Sequence, residues 1–342
     1  MRVDEFDYDL PEELIALHPA DRRDASRMMV LDRAVRAVEH RAFADLSAFL
    51  RPGDLLVLND TKVLPARLHG RRATGGRVEV LLTEKLDGAS ADRETWRAMV
   101  GASKRLHAGE VVVLDAGIEA RIVAAEGEGF YRVELPARAE SIIEERGHVP
   151  LPPYIASRRE EVPEDRTRYQ TVYAEWAGSC AAPTAGLHFT PEVLAALERR
   201  GVGVARLTLH VGPGTFLPVR VDDVERHRMH EEAFDVPETT VRAVAEARRA
   251  GGRVVACGTT SARALETWAT SGTTRGRTEI FIRPGYAFRV VDVLLTNFHL
   301  PRSTLLMLVA ALTGMDLWRR AYESAVAERY RFYSYGDCML IA

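Results

Sequence analysis

At 342 residues, 46% hydrophobic and 28% charged, the chain has material for two domains and a substantial core, and its formal charge of −3 makes any polyanion partner depend on a local basic patch. No apolar run approaches the ~20 residues of a membrane span, and the acidic residues 1–9 lack the apolar core of a secretory signal, so a cytoplasmic protein without membrane contact is expected. Cys180, Cys257 and Cys338 lie far apart with no CxxC pair, which argues against a disulfide framework and against a thiolate zinc site.

Residues 10–17 have the spacing of a short helix, 28–31 that of a short strand, and 43–50 that of a helix ended by Arg51-Pro52-Gly53. The continuous apolar run Leu55-Leu56-Val57-Leu58 reads as a strand buried on both faces. It ends in Asn59-Asp60-Thr61-Lys62, polar residues that are either turn-formers or the first functional side chains. From residue 63 the texture changes. Residues 77–82 and 130–135 alternate with period two, and 64–71, 95–100, 110–114 and 118–125 read as further strands separated by glycine turns. Short strands at near-regular spacing predict a small antiparallel barrel or sandwich. Residues 61–149 are therefore expected to form an inserted β-rich, barrel-like domain between the two parts, 1–60 and 150–342, of an α/β domain. Pro150-Leu151-Pro152-Pro153-Tyr154 reads as a stiff return linker. The basic pairs Arg71-Arg72, Lys104-Arg105 and Arg158-Arg159 are either solvated surface or a footprint for RNA phosphates.

Residues 178–190 follow neither hydrophobic period. Their small side chains let the backbone approach another object closely, with Thr184 and His188 as the polar groups able to reach it and Gly186 between them. The stretch ends in a helix start, with Thr190 as N-cap, Pro191 at the first helical position and Glu192 in the first turn. A ligand cradle and an ordinary turn with a buried histidine both fit. Beyond it the α/β pattern resumes, with helices at 190–199, 241–249, 262–268, 303–313 and 316–329 and strands at 204–211, 253–257, 288–295 and 338–341. The predicted fold is α/β in three layers with a small antiparallel barrel-like insert.

In open α/β sheets, ligands sit beyond the C-terminal ends of the strands. Those ends here carry His210-Val-Gly-Pro-Gly-Thr215, Gly258-Thr-Thr-Ser261 and Thr296-Asn-Phe-His299, and three polar tips imply one shared site. Gly258-Thr-Thr-Ser261 offers backbone N–H groups, hydroxyls and a helix N-terminus to a carboxylate or phosphate. It lacks the lysine and spacing of a P-loop and the full GxGxxG, which disfavours a nucleotide triphosphatase or an NAD enzyme. His227, His230 and Glu231 make a weak metal signal without a further ligand, and a substrate-side loop or plain surface is preferred. The aromatic run from Tyr330 to Tyr335 beside Arg331 would either stack unpaired bases or seat the C-terminus on the core.

Six blocks together resemble one family: Asn59-Asp-Thr-Lys-Val-Leu-Pro-Ala-Arg-Leu68, Ala181-Ala-Pro-Thr-Ala-Gly-Leu-His-Phe189, His210-Val-Gly-Pro-Gly-Thr-Phe216, Gly258-Thr-Thr-Ser261, Thr296-Asn-Phe-His-Leu-Pro301 and Tyr330-Arg-Phe-Tyr-Ser-Tyr-Gly-Asp337. The chain is similar, in this order over almost its full length, to the S-adenosylmethionine:tRNA ribosyltransferase-isomerases of queuosine biosynthesis. The resemblance implies a transferase and isomerase that uses S-adenosylmethionine as co-substrate and donor of its ribosyl group. The acceptor would be 7-aminomethyl-7-deazaguanine at the wobble position of a tRNA anticodon, and the products epoxyqueuosine tRNA, adenine and methionine. It implies tRNA and S-adenosylmethionine as partners and neither a prosthetic group nor a metal; a monomer is expected.

Such chemistry needs a base for the proton that the sulfonium acidifies, an acid for the departing adenine, and a pocket that holds the acceptor amine neutral and close. His188, His210, His299, Asp337 and Asp60 are the candidates for base and acid. Thr184, Gly186, Gly212, Gly214, Thr215, Thr259, Thr260, Ser261, Asn297, Phe298, His230 and Tyr335 are the candidates for substrate binding. Two alternatives stay open. A tRNA methyltransferase would use the same donor and release S-adenosylhomocysteine, whereas a non-catalytic RNA-binding module would turn over nothing.

Overall fold

The computed structural model describes residues 1–90, 92–137, 139–216 and 219–342, with the side chains of 87–90, 116, 140, 215 and 216 outside the description. The chain divides into two compact units, one of residues 1–61, 170–176 and 182–342, the other of 62–169 and 177–181.

The larger unit is built on a mixed sheet of nine strands. Its centre is four parallel strands in the order Gly203–Leu209, Leu55–Asn59, Val254–Cys257 and Val293–Asn297. Every residue of Leu55–Asn59 is buried, as its continuous apolar run requires. Glu232–Asp235 and then Arg275–Thr278 extend the sheet antiparallel beyond Gly203–Leu209. On the other side Cys338–Ile341 lies antiparallel to Val293–Asn297, Arg27–Asp32 lies parallel to it, and Ala37–Ala42 forms the far edge. One face of the sheet packs Met28, Leu56, Leu58, Val255 and Leu295 against Phe189, Val193 and Leu197 from the region of the helix Pro191–Arg199. The helices Glu238–Arg249 and Gly258–Ser271 also pack on the central strands. The Val254↔Leu55 register sets the two apolar runs side by side in one sheet, as the α/β reading demands.

Some local expectations differ. Residues 10–17 hold only the short turn Glu12–Leu14, because Leu14 O and Ala16 N are spent on a bridge to Phe332, at 2.8 and 3.1 Å. The strand expected at 288–295 begins only at Val293. Arg289, Val290 and Val291 give their N–H groups to the buried carboxylate of Glu266 at 2.9–3.0 Å, leaving nothing for a ladder there.

The second unit holds a closed antiparallel barrel of six strands, in the order Phe130–Pro136, Arg93–Ala102, Arg77–Ser90, Arg67–Arg72, Val111–Leu114, Glu119–Gly127. Alternation places Leu68, Val80, Trp96, Ala98, Leu114, Ile122 and Val133 inside, so side chains fill the interior. The unit also runs past residue 149 to Tyr169. Leu151, Ile155 and Tyr169 are buried, and Arg67 Nη2 donates to Leu151 O at 3.0 Å. The proline-rich stretch at 150–154 is thus packed within this unit, where the sequence suggested a return linker. Of the basic pairs, Arg72 is taken up by Glu110 at 2.6 Å and Arg159 by buried Asp165 at 2.7 Å, while Arg71, Lys104 and Arg105 remain at the surface.

Candidate active site at the strand tips

The four parallel strands end at one edge of the sheet, where they deliver His210, Asn59-Asp60-Thr61, Gly258 and Asn297. Asn59 is the last residue of a strand buried on both faces, so its amide must find partners inside the protein. It finds them on neighbouring tips. Its Nδ2 donates to Leu209 O at 2.9 Å and to Thr260 Oγ1 at 3.2 Å, and its Oδ1 accepts from the N–H groups of Leu209 and Thr61 at 3.0 and 3.2 Å. Thr61 Oγ1 then lies 2.8 Å from His210 Nδ1. One amide therefore ties three tips together and sets the imidazole beside them.

The turn Thr184–His188 closes the other flank, lying against Val293–Asn297 and the start of the helix Gly258–Ser271. The close approach read from its small residues is real: a Cβ on Gly186 would stand 2.2 Å from the Tyr173 hydroxyl. At Gly258 the chain turns from strand into helix at φ +87°, a conformation that favours glycine. His188 Nδ1 lies 2.9 Å from Ser26 Oγ, and its Nε2 3.4 Å from Asn297 Nδ2, which also donates to Tyr333 O at 3.1 Å. The buried Asn297 Oδ1 has no partner among the described residues.

The histidines share a charge state but not an environment. Burial, with Arg331 and Arg23 adding repulsion, pushes His188 down to about 4; burial alone pushes His299 down to about 3. Burial also lowers His210. All three imidazoles are neutral near pH 7, yet His188 and His299 are buried while His210 is half-exposed. His299 Nε2 is engaged by Thr296 Oγ1 at 2.9 Å. His210 Nε2 has no partner among the described residues. Burial raises the Asp60 carboxyl, whose Oδ1 accepts from Thr208 at 2.7 Å.

The model for queuosine biosynthesis proteins matches residues 3–341. The chain belongs to that family. It is 56% identical to the S-adenosylmethionine:tRNA ribosyltransferase-isomerase of an Anaeromyxobacter species over 100% of this chain and 99% of that one. It is 51% identical to the protein of that name from Syntrophotalea carbinolica, covering 100% of both. The crystal structure of S-adenosylmethionine tRNA ribosyltransferase from Thermotoga maritima is similar at a TM-score of 0.57 and 39% identity, over 99% of this chain and 100% of that one.

In this member of the queuosine biosynthesis family, several residues singled out from sequence are committed elsewhere. Asp337, raised by burial, accepts from the N–H groups of Arg27 and Arg331 at 2.9 and 2.8 Å and so clamps the aromatic run to the first strand. Phe298 is fully buried, with ring centroids 5.6, 5.2 and 5.1 Å from Tyr322, Tyr330 and Phe332, and Tyr335 is buried too. Burial of Tyr330, Phe332 and Tyr335 fits the reading of the run as a seat for the C-terminus better than that of a base-stacking surface. The Ser261 hydroxyl bonds back to Cys257 O at 2.7 Å and Thr259 is buried in the same helical turn, whereas Thr260 accepts from Asn59 at the junction itself. The side chain of Thr215 lies outside the described residues. Gly212 N donates to Glu232 Oε1 at 2.9 Å, and a Cβ on Gly214 would meet the His230 ring at 2.5 Å, so Gly214 is required by the packing of the turn after His210. Among the described residues no metal-type cluster forms at His227, His230 and Glu231.

The sequence reading missed Ser26, the buried pair Arg263 and Glu232, and the part played by Asn59 and Thr61. Asn59 and Thr61 carried a signal, being polar residues at the end of a fully apolar strand. The others carried none.

Proposed function

We propose that this protein transfers and isomerises the ribosyl group of S-adenosylmethionine onto 7-aminomethyl-7-deazaguanine at the wobble position of tRNA, releasing adenine and methionine. The observation that carries the reading is the junction of Asn59, Thr61, His210 and Thr260 at the end of four parallel strands. It occurs in a chain about half identical, end to end, to proteins bearing that name. We assign proton transfer to His210. With Nδ1–H donating to Thr61 Oγ1, whose own proton points to Trp176 O at 3.5 Å, Nε2 keeps its lone pair and faces no competitor. That is the state a general base requires. His188 and Asn297 we assign to positioning, His299 and Asp337 to holding the loops, and Asp60, whose carboxyl is raised, to the acid side of the chemistry.

The test is a single-turnover reaction of enzyme, S-adenosylmethionine and tRNA carrying the modified base. Adenine and methionine should appear together. S-adenosylhomocysteine would instead indicate methyl transfer, and no turnover would indicate a binding module. His210→Gln should lower adenine release by about 10²- to 10⁴-fold with tRNA affinity unchanged; undiminished release would remove His210 from the chemistry and leave Asp60 as the next group to replace.

A further inference from the structure

Three side chains of metal-ligand type meet on the barrel unit. His69, Asp115 and His148 each offer a ring nitrogen or a carboxylate oxygen, and these atoms lie within 4.8 Å of one another. The backbone brings them together. Arg67 and His148 exchange both backbone hydrogen bonds, at 3.2 and 2.8 Å, so the His148 ring falls beside His69, two residues along the same face of Arg67–Arg72. That strand also pairs Gly70 with Leu114, directly before the turn Asp115–Gly117. The backbone N–H of His69 holds Asp115 Oδ2 at 3.1 Å, and the same oxygen lies 3.8 Å from His148 Nε2. The two imidazoles stack with centroids 4.9 Å apart and planes at 24°.

Around these three stands a supporting set. His148 Nδ1 lies 2.8 Å from Glu161 Oε2, and a carboxylate on one ring nitrogen leaves the other with its lone pair outward, as in metal-bound histidines. Glu79, the cross-strand partner of His69, brings Oε2 to 3.7 Å from His69 Nε2. We propose that His69, His148 and Asp115 bind one zinc ion, with Glu79 or water in the fourth position. Two imidazoles and a carboxylate suit this borderline cation. At metal–ligand distances of about 2.0–2.1 Å, tetrahedral ligand atoms stand about 3.3 Å apart. His69 and Asp115 are exposed and His148 is half-buried, so side-chain rotation alone closes the remaining gap. The ion would clip the strand Arg67–Arg72, the turn Asp115–Gly117 and the His148 segment to one another. All three ligands belong to the barrel unit, whereas the strand-tip residues belong to the α/β unit.

The test is calorimetric titration of the metal-free full chain with zinc chloride, paired with the visible spectrum after cobalt substitution. One zinc per chain, micromolar or tighter, with the bands of tetrahedral cobalt, is expected. His69→Ala and His148→Ala should each abolish micromolar binding, Glu161→Gln should weaken it about 10- to 100-fold, and His227→Ala should leave it unchanged. Circular dichroism confirms that each variant is folded. The proposal is overturned if no zinc binds at micromolar concentration, if the His69 and His148 variants bind as the parent does, or if His227→Ala removes the site.

Discussion

The roles proposed for three histidines at one sheet edge follow their surroundings, with His210 half-exposed and His188 and His299 buried. His188, His210 and His299 all stood in glycine-rich or strand-end contexts, and that much was legible. Their separation into one half-exposed and two buried rings was not, since the His188 partners Ser26 and Asn297 lie 162 and 109 residues away in the chain. The buried pair leaves a thermodynamic mark. Below about pH 6.5 the unfolded chain protonates His188, while the folded chain refuses the proton until about pH 4. The unfolded state therefore binds more protons across that window, and stability falls as pH falls through it, by about 3 kcal/mol for His188. His299, held down to about 3, adds a loss of the same sign that continues lower. Asp337, raised by burial, acts with opposite sign but only near the carboxylate range. Urea unfolding at a series of pH values should give a rising stability curve between about pH 5 and 6.5, flatter in His188→Asn. Parallel curves for parent and variant would show that His188 is not held neutral by the fold.

At the scale of elements, period and composition located the central strands and all six barrel strands, because a residue buried on one or two faces declares itself in the pattern. They failed where a backbone's partner is a distant side chain, as with Glu266 and residues 289–291. The turn Thr184–His188 shows both halves of this lesson. Its small residues announced a close approach, but the object approached, Tyr173, lies in a segment with no readable period. Gly186→Ala should cost about 1–3 kcal/mol, since its Cβ would meet the Tyr173 hydroxyl at 2.2 Å and Thr171 Cγ2 at 2.8 Å. Tyr173→Phe in the same chain should restore part of that loss by removing the nearer atom. Denaturation midpoints of the two single variants and the double variant measure the coupling; strict additivity would mean that the turn moves away bodily. The His69, Asp115 and His148 group escaped notice for the same reason, since His69 and Asp115 are 46 residues apart and meet only through strand pairing.

For the whole molecule, the sequence showed an α/β fold with a β-rich insert, while the extent of that insert depended on Leu151, Ile155 and Tyr169, whose burial only the folded chain reveals. On the proposed function, two substrates of very different charge make a prediction at this scale. Each tRNA phosphate neutralised by arginine or lysine contributes a slope of about −0.7 to −0.9 in log K against log salt, so tRNA binding should weaken steeply as salt rises. S-adenosylmethionine, small and carrying a single sulfonium, should bind with little change. Filter binding and equilibrium dialysis over the same salt series measure both; a tRNA slope near zero would place recognition outside the phosphates.

The closed barrel pairs each of its six strands on both sides, and the nine-stranded sheet stops at the four-residue Arg275–Thr278 and the six-residue Ala37–Ala42. Each carries exposed charges, Arg275 and Arg277 on one and Glu39 and Arg41 on the other. Charged borders of this kind resist edge-to-edge addition of a foreign strand. The two borders of the nine-stranded sheet are thereby guarded against addition of a foreign strand, which favours side-chain surfaces over shared backbone hydrogen bonds for self-association there.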